Sequence, residues 1–189
     1  MYASKRADEA YMRIFGLTMS CLALAILMPV AAQAAGVQAL MRYLPPRETV
    51  TEAEAVKAAA VLVGERQNAM DLAPCEARLR EAKILTVNDS YDPTRTLRKG
   101  FASMLFARGM GLRGGWAGRL SGKLGPRLAY KELEFMNMVP PMGTQDLMTG
   151  AELLALLRLA QDHLRSEAAE KQSIRDYRTK ETARRGNGR

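Results

Sequence analysis

Apolar residues recur three and four positions apart along most of the chain, which is the period of an amphipathic helix. The clearest stretch is LMTGAELLALLRLAQD at residues 147–162. Its apolar stripe consists of Leu153, Leu156, Leu157 and Ala160, and Leu164 extends the stripe just beyond the stretch. The pattern predicts an all-α fold.

Two capping boxes mark helix starts, at Thr51–Glu54 and at Thr149–Glu152. In this motif the Thr hydroxyl and the Glu carboxylate satisfy amides that have no partner inside the helix. They predict helices over about 51–70 and from 149 to about 165. Further helices are predicted over about 75–83, 97–109 and 126–137. Seven glycines between residues 109 and 125 predict a loop, and residues 165–189 are predicted to form a basic, partly disordered tail.

The chain carries an internal duplication. A shift of 54 residues places the apolar positions of one segment on those of another: Cys75, Leu79, Ala82, Ile84 and Leu85 fall on Ala129, Leu133, Met136, Met138 and Val139. We therefore predict a small bundle of two tandem helix-loop-helix units, residues 75–109 and 127–164, plus an N-terminal helix, in a domain over 51–164. Such units bury their apolar faces against each other.

The first 34 residues have the layout of a secretory signal. Basic residues precede an apolar run, Pro29 interrupts it, and Ala32-Gln33-Ala34 offers small residues for cleavage. We expect cleavage after Ala34, a linker over 35–50, and export to the periplasm or cell envelope. The alternative is an uncleaved membrane anchor, against which Pro29 and the alanine-rich exit argue.

Positive charge is concentrated in one stretch. The whole chain has a formal charge of +8, and removal of residues 1–34 leaves +7. Between Pro93 and Lys131 there are nine Lys or Arg and no Asp or Glu. Such a stretch attracts polyanions, and in an exported protein these are envelope polymers or lipid head groups rather than nucleic acid. The alternative is a solvated face that keeps the protein soluble.

Candidate chemistry for catalysis is scarce. His163 is the only histidine, and Cys75 is the only cysteine after the signal, so neither a metal pair nor a Cys–His pair is predicted. The G-x-G-x-x-G at residues 109–114 follows a helix rather than a strand, which argues against dinucleotide binding. We expect a non-enzymatic protein without cofactor or metal, and we expect Cys75 to fill the core.

Two segments resemble the S-layer homology family: ARLREAKILTVNDSYDPTRTLRKGFASMLFARGMGL and YKELEFMNMVPPMGTQDLMTGAELLALLRLA. That family has a first helix, an aliphatic pair, a turn-rich loop and a Thr-Arg-Ala-Glu signature that opens a second helix. The second segment keeps Thr149, Ala151 and Glu152 of the signature, with Gly150 in place of Arg. The first keeps Arg98. The resemblance implies an all-helical fold, usually of three units, with grooves that hold anionic cell-wall polysaccharide.

The resemblance and the charge together predict a ligand site. Its residues are Arg98, Lys99, Arg113, Trp116, Arg119, Lys123, Thr149 and Glu152. Trp116 either stacks on a sugar or meets a lipid interface, or else covers the seam between the repeats. The function expected is binding of an anionic envelope polysaccharide or peptidoglycan. The alternative is a periplasmic structural or interaction protein, an accessory subunit of an envelope assembly.

Overall fold

The computed structural model describes residues 37–65, 68–112, 124–141 and 143–186, with side chains as far as residue 179. This part of the chain is all-helical, as predicted, and contains no strand. Its helices are α1 (37–43), α2 (Glu52–Leu62), α3 (Leu72–Glu81), α4 (Lys99–Gly109), α5 (Pro126–Phe135) and α6 (Gly150–Gly186). Within these described residues, no helix has the length and apolar character needed to cross a membrane.

Both predicted capping boxes form. The Thr51 amide donates to the Glu54 carboxylate at 2.6 Å, and the Thr149 amide donates to Glu152 at 2.9 Å. The Glu152 amide donates back to the Thr149 hydroxyl at 3.2 Å. Pro126 begins α5, where its missing amide hydrogen costs nothing because that position has no partner within the helix.

Three predicted boundaries are wrong. Helix α2 ends at Leu62 rather than near residue 70, because Gly64 adopts a left-handed φ of 100° that ends the helix. Residues 35–50, predicted to be a linker, include α1, whose Leu40 and the following Leu44 are fully buried. Helix α6 continues to Gly186 through the predicted tail. That segment is rich in Ala, Glu, Lys and Arg, which favour helix without an apolar stripe.

The duplication is visible in the backbone. One non-glycine residue with left-handed φ follows each of α3 and α5: Lys83 at 58° and Asn137 at 55°. These two residues are 54 positions apart, the shift found in the sequence. In both copies the next amide donates at 2.9 Å to the carbonyl of a buried leucine, Leu79 in one and Leu133 in the other.

The starts of α2, α4 and α6 are joined in a ring. The first amide of each helix donates to a carbonyl in the loop that precedes the next helix of the three. The bonds are Glu52 to Arg95, Lys99 to Asp146 and Gly150 to Arg47, each at 2.9 Å. The third bond returns to the loop before α2, so the ring is closed and α1–α2 is a third unit. The sequence had predicted only a single N-terminal helix in this segment.

The centre of the ring is apolar. Val50, Leu97 and Met148 each lie two residues before a helix start and are at most 3% exposed. The Leu97 amide donates to the Val50 carbonyl at 2.7 Å, and the Met148 amide donates to the Leu97 carbonyl at 3.0 Å. Helices α2, α4 and α6 contact one another, while α3 packs on α2 and α5 on α4.

The core positions agree with the sequence pattern. Four leucines on the apolar faces of the two predicted units are fully buried: Leu79, Leu105, Leu133 and Leu157. Cys75 is also fully buried, as predicted. Burial raises the pKa of its thiol to about 11, so the side chain stays neutral in the core.

Gly150 tests the closure of the ring. A Cβ added there would lie 1.8 Å from the Leu44 carbonyl oxygen, whereas a Cβ on Gly125, at the start of α5, would meet nothing within 4 Å. We expect Gly150→Ala to lower the free energy of unfolding by about 3 kcal/mol or more, because backbone must move to relieve the clash. Gly125→Ala should cost about 1 kcal/mol or less. Denaturant unfolding with equal losses would show that α6 does not begin against Leu44.

Candidate functional site

A cleft of about 410 Å³ lies at the start of α4. The α3–α4 loop, the first turn of α4 and the loop before α6 form its walls, and Pro126 at the start of α5 borders it. Charged, neutral polar and apolar side chains all line this cleft. Because the cleft lies next to the ring, the hydrogen bonds of the ring hold the backbone around the cleft in place.

Arg98 is the N-cap residue of α4, and its exposed side chain lines the cleft. Its guanidinium donates to the side-chain oxygen of Gln145, a neutral amide from the loop before α6. Among the described residues no carboxylate lies within 4.0 Å of this guanidinium, whereas Arg95 in the same cleft pairs with Glu52 at 3.5 Å. Within the described part of the chain Arg98 is therefore a cation without a direct ion-pair partner, although its charge is close enough to oppose the rise that burial causes in the pKa of Glu52.

Glu52 is the acidic group most deeply placed in the cleft, at 2% exposure. Burial raises the pKa of this carboxyl, and the Asp92 amide and the Arg95 charge oppose that rise. The amide donates to Glu52 at 2.9 Å. The first residue of α2 thus holds the second half of the α3–α4 loop at two points, Asp92 and Arg95.

Asp89 and Arg108 hold the opposite side of the loop. The guanidinium makes two bonds to the carboxylate, at 2.7 and 3.2 Å. It also donates to the carbonyl oxygens of Ile84 at 2.8 Å and Leu124 at 3.1 Å. Burial alone would raise the pKa of Asp89, but the bonds from Arg108 and Thr86 outweigh it and hold the pKa below its ordinary value.

The base of the cleft is tightly packed. The Gly100 amide donates to the Thr144 carbonyl at 2.9 Å, and a Cβ on Gly100 would lie 2.9 Å from that same oxygen. Phe101, 8% exposed, stacks on Tyr91 with ring centroids 6.1 Å apart. The cleft therefore has a fixed apolar base below a polar rim.

Three other predicted site residues lie together elsewhere. Lys99, 5% exposed, places its ammonium 2.7 Å from Glu152, which also caps α6 through Thr149. Burial alone would raise the pKa of Glu152, but the bonds from Lys99 and Thr149 bring it below its ordinary value. These residues join the α3–α4 unit to the α5–α6 unit and do not line the cleft, so their predicted role in ligand binding stays a prediction.

The ring also changes the register of the signature by one residue. Arg98 was matched to the family's arginine, but as an N-cap it occupies the place of Thr51 and Thr149. Lys99 occupies the place of Glu52 and Gly150, as the first helical residue. The four remaining predicted site residues lie outside the described residues: Arg113, Trp116, Arg119 and Lys123.

Four residues that line the cleft were not predicted from the sequence: Glu52, Asp89, Arg95 and Gln145. Arg95 had a usable signal, since it belongs to the stretch without acidic residues. Glu52 had none, because its partner is 43 residues away in the chain. No group of His, Cys, Asp or Glu in the described residues is arranged to hold a metal ion.

Comparison with known family models, with curated proteins and with solved structures finds no match to this chain. The resemblance to the S-layer homology family thus stays a prediction from the residues quoted above.

The Asp89–Arg108 pair gives a pH-dependent prediction. Because the pKa of Asp89 is lowered in the folded state, its contribution to stability is full above the ordinary value of 3.8 and is lost as pH falls through the lower, folded value. Asp89→Asn should cost about 1–3 kcal/mol near neutral pH. Urea unfolding should show the gap between wild type and variant shrinking below about pH 4. A gap that stays constant down to pH 2 would contradict the assignment.

Proposed function

We propose that this chain is an exported envelope protein that binds an anionic envelope polymer, polysaccharide or peptidoglycan, in the cleft at Arg98. One observation carries the proposal. Of the three arginines at or beside the cleft, Arg95 and Arg108 pair with carboxylates, while Arg98 contacts only the neutral Gln145 among the described residues. An anionic group on a ligand can supply what Arg98 lacks.

The chemistry of the cleft suits a charged sugar. A guanidinium binds a carboxylate through two parallel hydrogen bonds, a geometry that other cations do not reproduce. Side-chain amides and hydroxyls line the rim and can bond to sugar hydroxyls: Asn88, Ser90, Thr144 and Gln145. No catalytic group is proposed, and no cofactor.

The three-unit ring adds support for the family resemblance. Thr51, Ala53 and Glu54 match the signature at the start of α2, as Thr149, Ala151 and Glu152 do at the start of α6. The family usually has three units in one domain, and α1–α2 supplies the third here. Export rests on the signal-like pattern of residues 1–34, which lie outside the described residues.

A second candidate is a periplasmic structural or interaction protein. The observation that favours it is the extension of α6 beyond residue 165, where most side chains are exposed. Ile174 is 47% exposed and Tyr177 71% exposed. Salt separates the two candidates, because binding through fixed charges weakens with ionic strength and a packed protein interface does so much less.

Sedimentation with purified cell-wall sacculi tests the polymer proposal. Arg98→Gln should weaken binding about three- to tenfold at low salt, since it removes a charge-assisted contact from a partly exposed site. Arg165→Gln is the matched control, because Arg165 lies on α6 and pairs only locally, with Asp162 at 3.2 Å. Equal sedimentation of wild type and Arg98→Gln would exclude the cleft and leave the interaction protein.

A further inference from the structure

We infer that Glu52 sets the charge preference of the cleft, so that its ligand is a polymer with isolated carboxylates, one on each sugar, rather than a polymer with closely spaced phosphates. The inference rests on the proposed binding at Arg98. It concerns which anionic polymer binds, a property that Arg98 alone does not decide.

The position of Glu52 is fixed by the ring. Its amide donates to the Arg95 carbonyl at 2.9 Å, and its carboxylate accepts from the Asp92 amide at 2.9 Å. The same carboxylate lies 3.5 Å from Nε of Arg95. With the side chain 3% exposed, these contacts hold a negative charge inside the wall of the cleft.

The charges of the cleft then largely cancel. Glu52 neutralises Arg95, and Arg108 neutralises Asp89 at 2.7 Å. Of the described side chains that line the cleft, Arg98 is the one charged group without an ion-pair partner within 4.0 Å. A ligand therefore meets Arg98 as an available cation, whereas the neighbouring Arg95 already pairs with Glu52.

This arrangement discriminates by charge density. A single carboxylate can bind Arg98 and place its neighbouring hydroxyls on the neutral rim. A second anionic group close to the first would find no second free cation, because Glu52 already pairs with Arg95. Polymers with adjacent phosphates are therefore disfavoured even though the whole chain is basic.

The test compares two soluble probes, an oligomer of galacturonic acid and inorganic polyphosphate, by calorimetric titration at low salt. Glu52→Gln keeps an acceptor for the Asp92 amide but releases Arg95. We expect it to shift the ratio of the two affinities toward polyphosphate by about threefold or more. Glu167→Gln is the matched control: it also adds one positive charge, but Glu167 lies on α6 and pairs with Lys171 at 3.0 Å. It should leave the ratio unchanged.

Arg95→Gln gives an independent reading should Glu52→Gln fail to fold. It removes the partner of the Glu52 carboxylate, so the ratio should shift away from polyphosphate. The double variant Glu52→Gln/Arg95→Gln removes the pair together and should return the wild-type ratio. Circular dichroism checks that each variant is folded.

The outcomes distinguish this inference from the proposed function. If Arg98→Gln leaves the affinity for both probes at the wild-type value, polymer binding in the cleft is wrong. If Arg98→Gln weakens binding but Glu52→Gln moves the ratio no more than Glu167→Gln does, only the role of Glu52 is wrong. A ratio that shifts in the same direction for Glu52→Gln and Arg95→Gln would also overturn it.

Discussion

Three backbone hydrogen bonds between helix starts and neighbouring loops hold this fold together. The first amides of a helix have no acceptor within the helix and must find one elsewhere. Here the first amide of each of α2, α4 and α6 finds it in the next unit, at 2.9 Å in every case. Because the third bond returns to the α1–α2 unit, separating any one unit breaks two of these hydrogen bonds. Each bond contributes about 0.5–1.5 kcal/mol.

The backbone bonds of the ring are alike, but the side chain at the start of each of the three helices is accommodated differently. The first helical residue lies against the neighbouring unit each time, where a charge must be paired. Glu52 pairs with Arg95, and Lys99 pairs with Glu152. Gly150 has no side chain because the Leu44 carbonyl occupies the space. The signature residues differ between the copies because each interface accommodates a different side chain at this position. The Glu52–Arg95 pair also forms part of the wall of the cleft.

The parts of the fold that the sequence predicts are those with signals a few residues long. Capping boxes, Pro126 and the apolar stripe of α6 place helix starts, and the shift of 54 residues identifies two units. The third unit was missed because α1 is short and its loop to α2 brief, so no repeat length matches. The end of α2 was missed, although Gly64 was a usable signal for it. The extension of α6 was missed because the sequence beyond residue 165 has no apolar stripe that would predict a helix.

The cleft was less predictable than the fold. Arg98 was found, but its partner Gln145 lies 47 residues away and the partner of Arg95 lies 43 away. Such contacts depend on how the three units pack against one another, and sequence patterns a few residues long carry no information on that packing. The register of the signature depends on which residue is the N-cap. With Arg98 as the N-cap of α4, Lys99 rather than Arg98 takes the position of the signature arginine.

Native-state hydrogen exchange at the amides of Glu52, Lys99 and Gly150 tests the closed ring most directly. These amides donate the three bonds, and in a closed ring none can open alone. All three should exchange with the same free energy of opening, equal to that of global unfolding in denaturant. Faster exchange at Gly150, with Glu52 and Lys99 still protected, would show that α1–α2 and α6 separate locally and that the ring is open in solution.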